Sequence, residues 1–399
     1  MSTSTGIHLT HQRKTDVLSD HHDLMQTTRN HRIDMLRGIA ILLVLFHHFN
    51  ISYRLEGTWL AAAFGWPAVQ AVARNGNYGV VIFFAISGFL ITSNVFHRWQ
   101  DIGHIDLAGF YRLRIARILP CLLLLLCLVD LLAVAGLAMF QNHVVDGSRF
   151  PMWRVNLAGA ALHMNVLIAQ HGWVNYPLGV LWSLSVEEVF YLVFPLACLV
   201  LKSERRLLAF MVPFIVIGPV YRFAHPSDEG QFLYGYWACF DGIAIGCCAA
   251  ILSRKGGFAW LERRGVQIVL GLSMALLYLA WPIAQSKVLG ATAMAAGTAL
   301  MLVAAQRRQA LRATLAGRFL AAGGRLSYEL YLFHLIVLGL MRTVSPPQTV
   351  SAQGKMALLA GYFLISAAVA AGISRVFSEP VNRMIRASVS RSNGVHQVI

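Results

Sequence analysis

The sequence predicts an all-α polytopic membrane protein with about ten transmembrane helices and both termini in the cytoplasm. Of the 399 residues, 57% are hydrophobic and only 13% are charged, and the mean hydropathy is +0.59. Because soluble globular proteins carry about 25% charged residues, nearly the whole chain is expected to lie in a membrane. The net charge of +15 does not indicate nucleic-acid binding, since the basic residues lie in short loops between apolar runs rather than in one patch.

Ten apolar runs are long enough to cross a bilayer, for which a helix needs about 20 residues. They are 36–52, 79–96, 115–140, 180–201, 207–222, 236–252, 266–284, 288–305, 326–344 and 356–377. The stretch 155–169 is shorter and contains two asparagines and a histidine. We therefore expect a re-entrant or interfacial helix there, within a long outer segment, 141–179.

The positions of lysine and arginine set the topology. With ten spans and a cytoplasmic N-terminus, 25 of the 33 cations fall in cytoplasmic segments, as the positive-inside rule requires. Counting 155–169 as a span would break this alternation. Residues 1–30 are polar and are expected to form a disordered cytoplasmic tail. Residues 31–383 then form the membrane domain, and 384–399 form a short basic cytoplasmic tail.

The first apolar helix carries Arg37 near its start and His48 eleven residues later. At about 100° and 1.5 Å per residue, the two side chains share one face and lie roughly 16 Å apart. Ionisable groups inside a membrane are costly, so both are candidates for function.

Three further polar residues are expected near the depth of His48 in mid-membrane: Glu187 and Glu188 in the fourth run, and Ser87 in the second. A carboxylate beside an imidazole fixes its tautomer and stabilises its charged form, as a general base needs. Two other interpretations stay open. The glutamates could form a structural ion pair with an arginine, and Ser87-Gly88 could serve close helix packing.

A basic cluster opens the third run, where Arg114 and Arg117 share a helix face. Paired guanidiniums suit phosphate or pyrophosphate, although these residues could simply obey the positive-inside rule. His334, near the inner end of the ninth run, marks a third polar site and could equally be a packing residue.

Six segments, in this order, resemble the acyltransferase-3 family of bacterial integral membrane O-acyltransferases. They are Arg32–Gly38 with His48, Phe83–Thr92, Phe110–Pro120, Trp182–Tyr191, Leu326–His334 and Glu379-Pro380. The resemblance implies an acyl-CoA donor on the cytoplasmic side and an acceptor hydroxyl, often extracytoplasmic. Arg37 and His48 match the family's pair on the first helix, Arg114 and Arg117 its paired arginines, and Ser87 its second-helix motif.

The sequence therefore predicts a multi-pass O-acyltransferase of the bacterial inner membrane, with acetyl-CoA as the first choice of donor and no metal. The acceptor would be a cell-surface polysaccharide, glycolipid, lipo-oligosaccharide or related glycoside or macrolide. The expected roles are phosphate binding by Arg37, Arg114 and Arg117, proton removal or acyl transfer by His48, orientation of His48 by Glu187 or Glu188, and oxyanion stabilisation by Ser87. The alternative is a transporter or flippase that moves a sugar or lipid-linked sugar with the same charges.

Overall fold

The computed structural model describes residues 30–145, 147–307 and 314–385. Apart from residues 30, 384 and 385, the two predicted tails lie outside these ranges. The described chain is mainly helical, and its strands, Val144–Val145 and Ser148–Arg149, form one short hairpin. The prediction of an all-α fold is confirmed.

Each of the ten predicted apolar runs falls on one long helix. These helices are α1 (His31–Tyr53), α2 (Asn77–Trp99), α3 (Leu107–Val134), α4 (Leu181–Leu201), α5 (Glu204–Ala224), α6 (Tyr236–Lys255), α7 (Arg264–Ala280), α8 (Gly290–Arg307), α9 (Ser327–Val344) and α10 (Ala352–Ile373). Shorter α-helices are Trp59–Phe64, Trp66–Ala73, Met152–Ala160, Met164–His171, Glu229–Tyr234 and Leu315–Arg325. Single turns of other helix types are Ile102–His104, Ala138–Phe140, Leu178–Val180, Ala259–Glu262 and Ser374–Ser378.

Within the described ranges, seven helices are long and apolar enough to cross a membrane, namely α1 to α6 and α10. Helices α7 and α8 are apolar but shorter. Helix α9 carries Glu329, His334 and Arg342 among its apolar residues. The chain is therefore a multi-pass membrane protein, while ten crossings and two cytoplasmic termini stay predictions.

The stretch 155–169 differs from the single short helix that was predicted. It is divided between the helices Met152–Ala160 and Met164–His171, and Leu162 between them has a left-handed φ of 59°. A non-glycine residue rarely adopts this conformation, which here breaks the helix and turns the chain. Its position in a membrane interface stays a prediction.

Helices α2 and α6 approach each other closely because glycines lie at their contact. A Cβ atom added at Gly88 would lie 1.9 Å from the carbonyl oxygen of Ile243, and one at Gly246 would lie 2.1 Å from that of Ala85. The structure thus supports the packing interpretation for Gly88. This contact does not involve the side chain of Ser87.

Replacing Gly88 with alanine is therefore expected to lower the thermal stability of the protein in detergent, since overpacking costs about 1–3 kcal/mol. Gly361→Ala in α10 is the matched control, because nothing lies within 4 Å of the added Cβ atom there. Alanine also favours the helical backbone over glycine. Equal unfolding temperatures for the two variants would contradict the tight contact between α2 and α6.

A buried ion pair joins α5, α6 and α8. The Nη2 atom of Arg222 lies 2.8 Å from Oδ2 of Asp241, and the two side chains are only 2% and 3% exposed. The hydroxyl of Thr292 accepts from Arg222 and donates to Asp241, both at 2.6 Å. Arg222 also donates to the carbonyl oxygen of Val288 at 3.1 Å. The cluster supplies the partner of Asp241, which the sequence alone does not identify.

Candidate active site

The first of two neighbouring cavities, which we name the arginine cavity, measures about 110 Å³ and lies between α1, α2, α3, α4 and α9. It contains six of the seven predicted site residues. Its charged and hydroxyl-bearing lining comprises Arg37, Ser87, Arg114, Arg117, Ser183, Glu187, Glu188, Tyr191, Ser327, Tyr328 and Tyr331. Side chains from helices distant in sequence thus meet in one polar space inside an apolar bundle.

The charges in the arginine cavity are arranged around Arg114. Its guanidinium lies 3.9 Å from the centre of the Tyr191 ring, and the Tyr191 hydroxyl is 2.5 Å from the Ser87 hydroxyl. Glu187 has Ser87 and the guanidiniums of Arg114, Arg117 and Arg37 as its polar neighbours. Opposite charges therefore offset one another within the cavity, and the three cations outnumber the two carboxylates.

Glu188 is 8% exposed, and its Oε1 atom is buried with no hydrogen-bond partner among the described residues. A buried polar atom without a partner is unfavourable by roughly 1–3 kcal/mol. This atom is therefore a candidate for hydrogen bonding to a bound molecule or to water.

The second space, the histidine cavity, measures about 600 Å³ and contains His48. Its other polar and aromatic lining comprises His47, Arg74, Asn75, Asn77, Trp173, Tyr176, Trp182, Glu229, Tyr234, Tyr331 and Arg342. Tyr176 shares a 3.0 Å hydrogen bond with Ser52, and burial raises the pKa of its phenol. The phenol therefore stays protonated and can donate a hydrogen bond.

The two cavities lie towards opposite ends of the helices. On α1, Arg37 near the start lines the arginine cavity, and His48 near the end lines the histidine cavity. On α4 the order is reversed, with Trp182 near the start in the histidine cavity and Glu187 further along in the arginine cavity. This arrangement agrees with the single polar stripe predicted for the first helix.

The imidazole of His48 contacts other histidines rather than a carboxylate. Its Nδ1 atom lies 2.9 Å from the carbonyl oxygen of Val44 and 3.2 Å from Nε2 of His334. The glutamates predicted beside His48 lie instead in the arginine cavity, where the guanidiniums attract them. His47 is bonded elsewhere, with its Nδ1 atom 2.6 Å from the carbonyl oxygen of Ala73.

Val80 and Tyr331 line both cavities and so form the junction between them. The Tyr331 hydroxyl accepts from Ser183 at 2.7 Å and donates to the carbonyl oxygen of Val180 at 3.2 Å. The ring of Phe83 packs edge-on against it, with centroids 6.2 Å apart. The tyrosine ring is thus held in place from two sides.

Sequence reasoning missed the contact between His334 and His48 and the role of Tyr331 at the junction. The contact between His334 and His48 could have been predicted from depth in the membrane. His334 lies seven residues beyond Ser327, or about 10 Å along α9. That depth is within about two helical turns of His48. The aromatic residues Trp173 and Tyr176 lie in a loop, so helical periodicity carries no signal for them.

The family model of the acyltransferase-3 group, described as an acyltransferase domain, matches residues 30–375. The chain belongs to the acyltransferase-3 family. The matched range contains both cavities and five of the six segments, all except Glu379-Pro380, so the resemblance to this family is confirmed. The chain therefore carries the acyltransferase domain of this enzyme family.

Among curated proteins, this acyltransferase is similar to two named O-acetyltransferases. Peptidoglycan O-acetyltransferase OatA of Listeria monocytogenes is 26% identical over 282 residues, which is 64% of this chain and 39% of the relative. O-acetyltransferase OatA of Staphylococcus aureus strain NCTC 8325 is 28% identical over 235 residues, which is 55% of this chain and 34% of the relative. The matched region thus spans well under half the length of these relatives. No solved structure matches the chain.

Proposed function

We propose that this protein transfers an acetyl group from acetyl-CoA to a carbohydrate hydroxyl at the bacterial inner membrane. One observation carries the proposal: an arginine-rich cavity and an aromatic cavity with a histidine meet at Val80 and Tyr331 inside the bundle. A thioester entering one cavity and an alcohol entering the other would meet at this junction. The names of the two relatives, both O-acetyltransferases, support acetyl as the transferred group.

The arginine cavity suits the donor. Guanidiniums form charge-assisted and often bidentate hydrogen bonds with phosphate oxygens, so Arg37, Arg114 and Arg117 would bind the phosphates of coenzyme A. Glu187 and Glu188 would hold these arginines apart and in place between turnovers. Ser87 lies in the same cavity and would donate a hydrogen bond to the thioester carbonyl as negative charge develops on its oxygen.

His48 would act as the general base. As the acceptor oxygen attacks the thioester carbon, its proton moves to Nε2 of His48 and a new C–O bond forms. The C–S bond then breaks, and the proton passes from His48 to the sulfur, which leaves as the free thiol of coenzyme A. A route in which the imidazole first takes the acyl group stays open, and it gives the same products.

The histidine cavity suits a carbohydrate acceptor. Trp173, Tyr176, Trp182 and Tyr234 present flat apolar surfaces together with hydrogen-bonding tips, while Arg74, Glu229 and Arg342 supply charged groups. Pockets that combine apolar walls with a few polar groups fix the orientation of a ligand. The acceptor would be a surface polysaccharide, a glycolipid or a related glycoside.

The direct test uses purified protein in lipid nanodiscs with acetyl-CoA and a panel of surface glycans. Release of free thiol that depends on the acceptor, with acetylated glycan detected by mass spectrometry, is the expected result. Sugar transport in reconstituted vesicles without any thiol release would instead support the transporter or flippase alternative.

The junction makes a prediction about acyl chain length. We expect Val80→Ala to raise the ratio of butyryl to acetyl transfer by about tenfold. The smaller side chain widens the passage for the two additional methylenes of the butyryl group, and burial of each methylene is favourable by about 0.8 kcal/mol. Val81→Ala is the matched control, since Val81 lines neither cavity and instead lines a pocket beside Arg222. Competition between the two acyl-CoA donors measures the ratio. An unchanged ratio in Val80→Ala would contradict passage of the acyl group at this point.

A further inference from the structure

Among the described residues, only His334 has a side-chain nitrogen within hydrogen-bond distance of the His48 ring. It is 1% exposed on α9, and the two ring centroids are 4.9 Å apart with planes tilted by 54°. The bond joins Nε2 of His334 to Nδ1 of His48 at 3.2 Å. Which nitrogen carries the hydrogen decides what this pair can do, and the surrounding backbone determines it.

The tautomer of His334 follows from its own helix. Its Nδ1 atom lies 3.0 Å from the carbonyl oxygen of Leu330 and 2.8 Å from that of Tyr331. Carbonyl oxygens only accept hydrogen bonds, so Nδ1 must carry the hydrogen and donate it. In the neutral ring, Nε2 of His334 is then an acceptor, and its lone pair faces His48.

The tautomer of His48 follows in turn. Its Nδ1 atom lies between two acceptors, the carbonyl oxygen of Val44 at 2.9 Å and Nε2 of His334 at 3.2 Å. Nδ1 of His48 must therefore carry the hydrogen, which leaves the lone pair on Nε2. In the described part of the chain no hydrogen bond reaches that Nε2, and the His48 residue is only partly buried. His48 lines the histidine cavity, so the basic nitrogen is open to an acceptor there.

We propose that His334 is a positioning residue that holds His48 in its reactive tautomer and stabilises the imidazolium formed during proton transfer. When Nε2 of His48 takes the acceptor proton, the Nδ1–H group becomes a stronger donor towards the lone pair of His334. His334 thus takes the part that the sequence assigned to a glutamate. This inference rests on the proposed function of His48.

A neutral partner also suits a membrane interior. A carboxylate beside His48 would be a buried charge before the reaction begins, which is costly in a low-dielectric medium. Two neutral imidazoles carry no charge until the acceptor proton arrives. The charge then exists only while the reaction proceeds, when its stabilisation increases the rate.

Two substitutions separate positioning from packing. In His334→Gln, the side-chain amide oxygen can accept from Nδ1 of His48, whereas His334→Leu fills similar space with no acceptor. We expect His334→Leu to lower kcat by about 10²-fold with an unchanged KM for acetyl-CoA, and His334→Gln to keep kcat within about tenfold of the wild type. A packing role predicts the opposite order, because the buried site tolerates leucine better than glutamine.

Equal activity of His334→Leu and wild type, or equal loss in both variants, would overturn the proposal. Thermal unfolding of each variant shows whether it folds. NMR of the wild type with isotope-labelled histidine gives a test that needs neither variants nor activity. We expect both rings to carry hydrogen on Nδ1, and a hydrogen on Nε2 of either neutral ring would overturn the proposal. A wild type with these tautomers but no acyl transfer would instead count against the proposed function.

Discussion

Replacing His48 with alanine is expected to abolish acceptor-dependent release of coenzyme A thiol while the protein still inserts and folds. The substitution removes the imidazole that lines the histidine cavity, and with it the nitrogen lone pair of the proposed base. A positioned general base contributes about 10²- to 10⁴-fold to the rate, and an acyl-carrying imidazole would contribute at least as much. Binding of acetyl-CoA, measured by calorimetry, is expected to survive because the arginine cavity is untouched.

The matched control is His104→Ala. His104 is exposed, pairs with Asp101 at 3.2 Å and lines neither cavity. We expect this variant to keep wild-type activity, since exposed pairs contribute less than about 1 kcal/mol. Wild-type turnover by the His48→Ala variant would remove His48 from the mechanism, whatever the behaviour of the control.

The positions of the long helices could be predicted from the sequence, because an apolar composition over about 20 residues is a strong signal. Helix ends could not. Helix α3 begins at Leu107, eight residues before the predicted run at 115, because Arg112 and Arg114 lie on the helix itself. Hydropathy treats such cations as the end of a span. Arg114 and Arg117 in fact line a protein cavity, where other charges and polar groups surround them.

The site could be predicted only in part from the sequence. The sequence gives the depth of a side chain along its helix, but not the direction in which that side chain faces. Counting residues from each helix end gave similar depths for His48, Ser87 and Glu187. Depth alone does not say which way a side chain faces. The structure turns Glu187 towards the arginines and brings His334 to His48, since each polar group needs a partner of suitable charge or hydrogen-bonding type.

Replacing Asp241 with alanine is expected to destabilise the protein strongly. Arg222, 2% exposed, would keep its charge in the protein interior without the carboxylate that offsets it. Removing one partner of a buried ion pair costs about 3–5 kcal/mol. We expect a large drop in the unfolding temperature in detergent, and fluorescence-detected size exclusion after heating measures it.

Two further variants show whether charge or volume is responsible. Asp241→Asn keeps the shape and an acceptor oxygen for Arg222 but removes the negative charge, so an intermediate loss is expected. The double variant Asp241→Leu with Arg222→Met removes both charges and is expected to recover most of the stability, because apolar residues can replace a buried ion pair. A double variant no more stable than Asp241→Ala would show that the geometry of this cluster, with Thr292 bonded to both charged groups, stabilises the contact between α5, α6 and α8 more than charge pairing does.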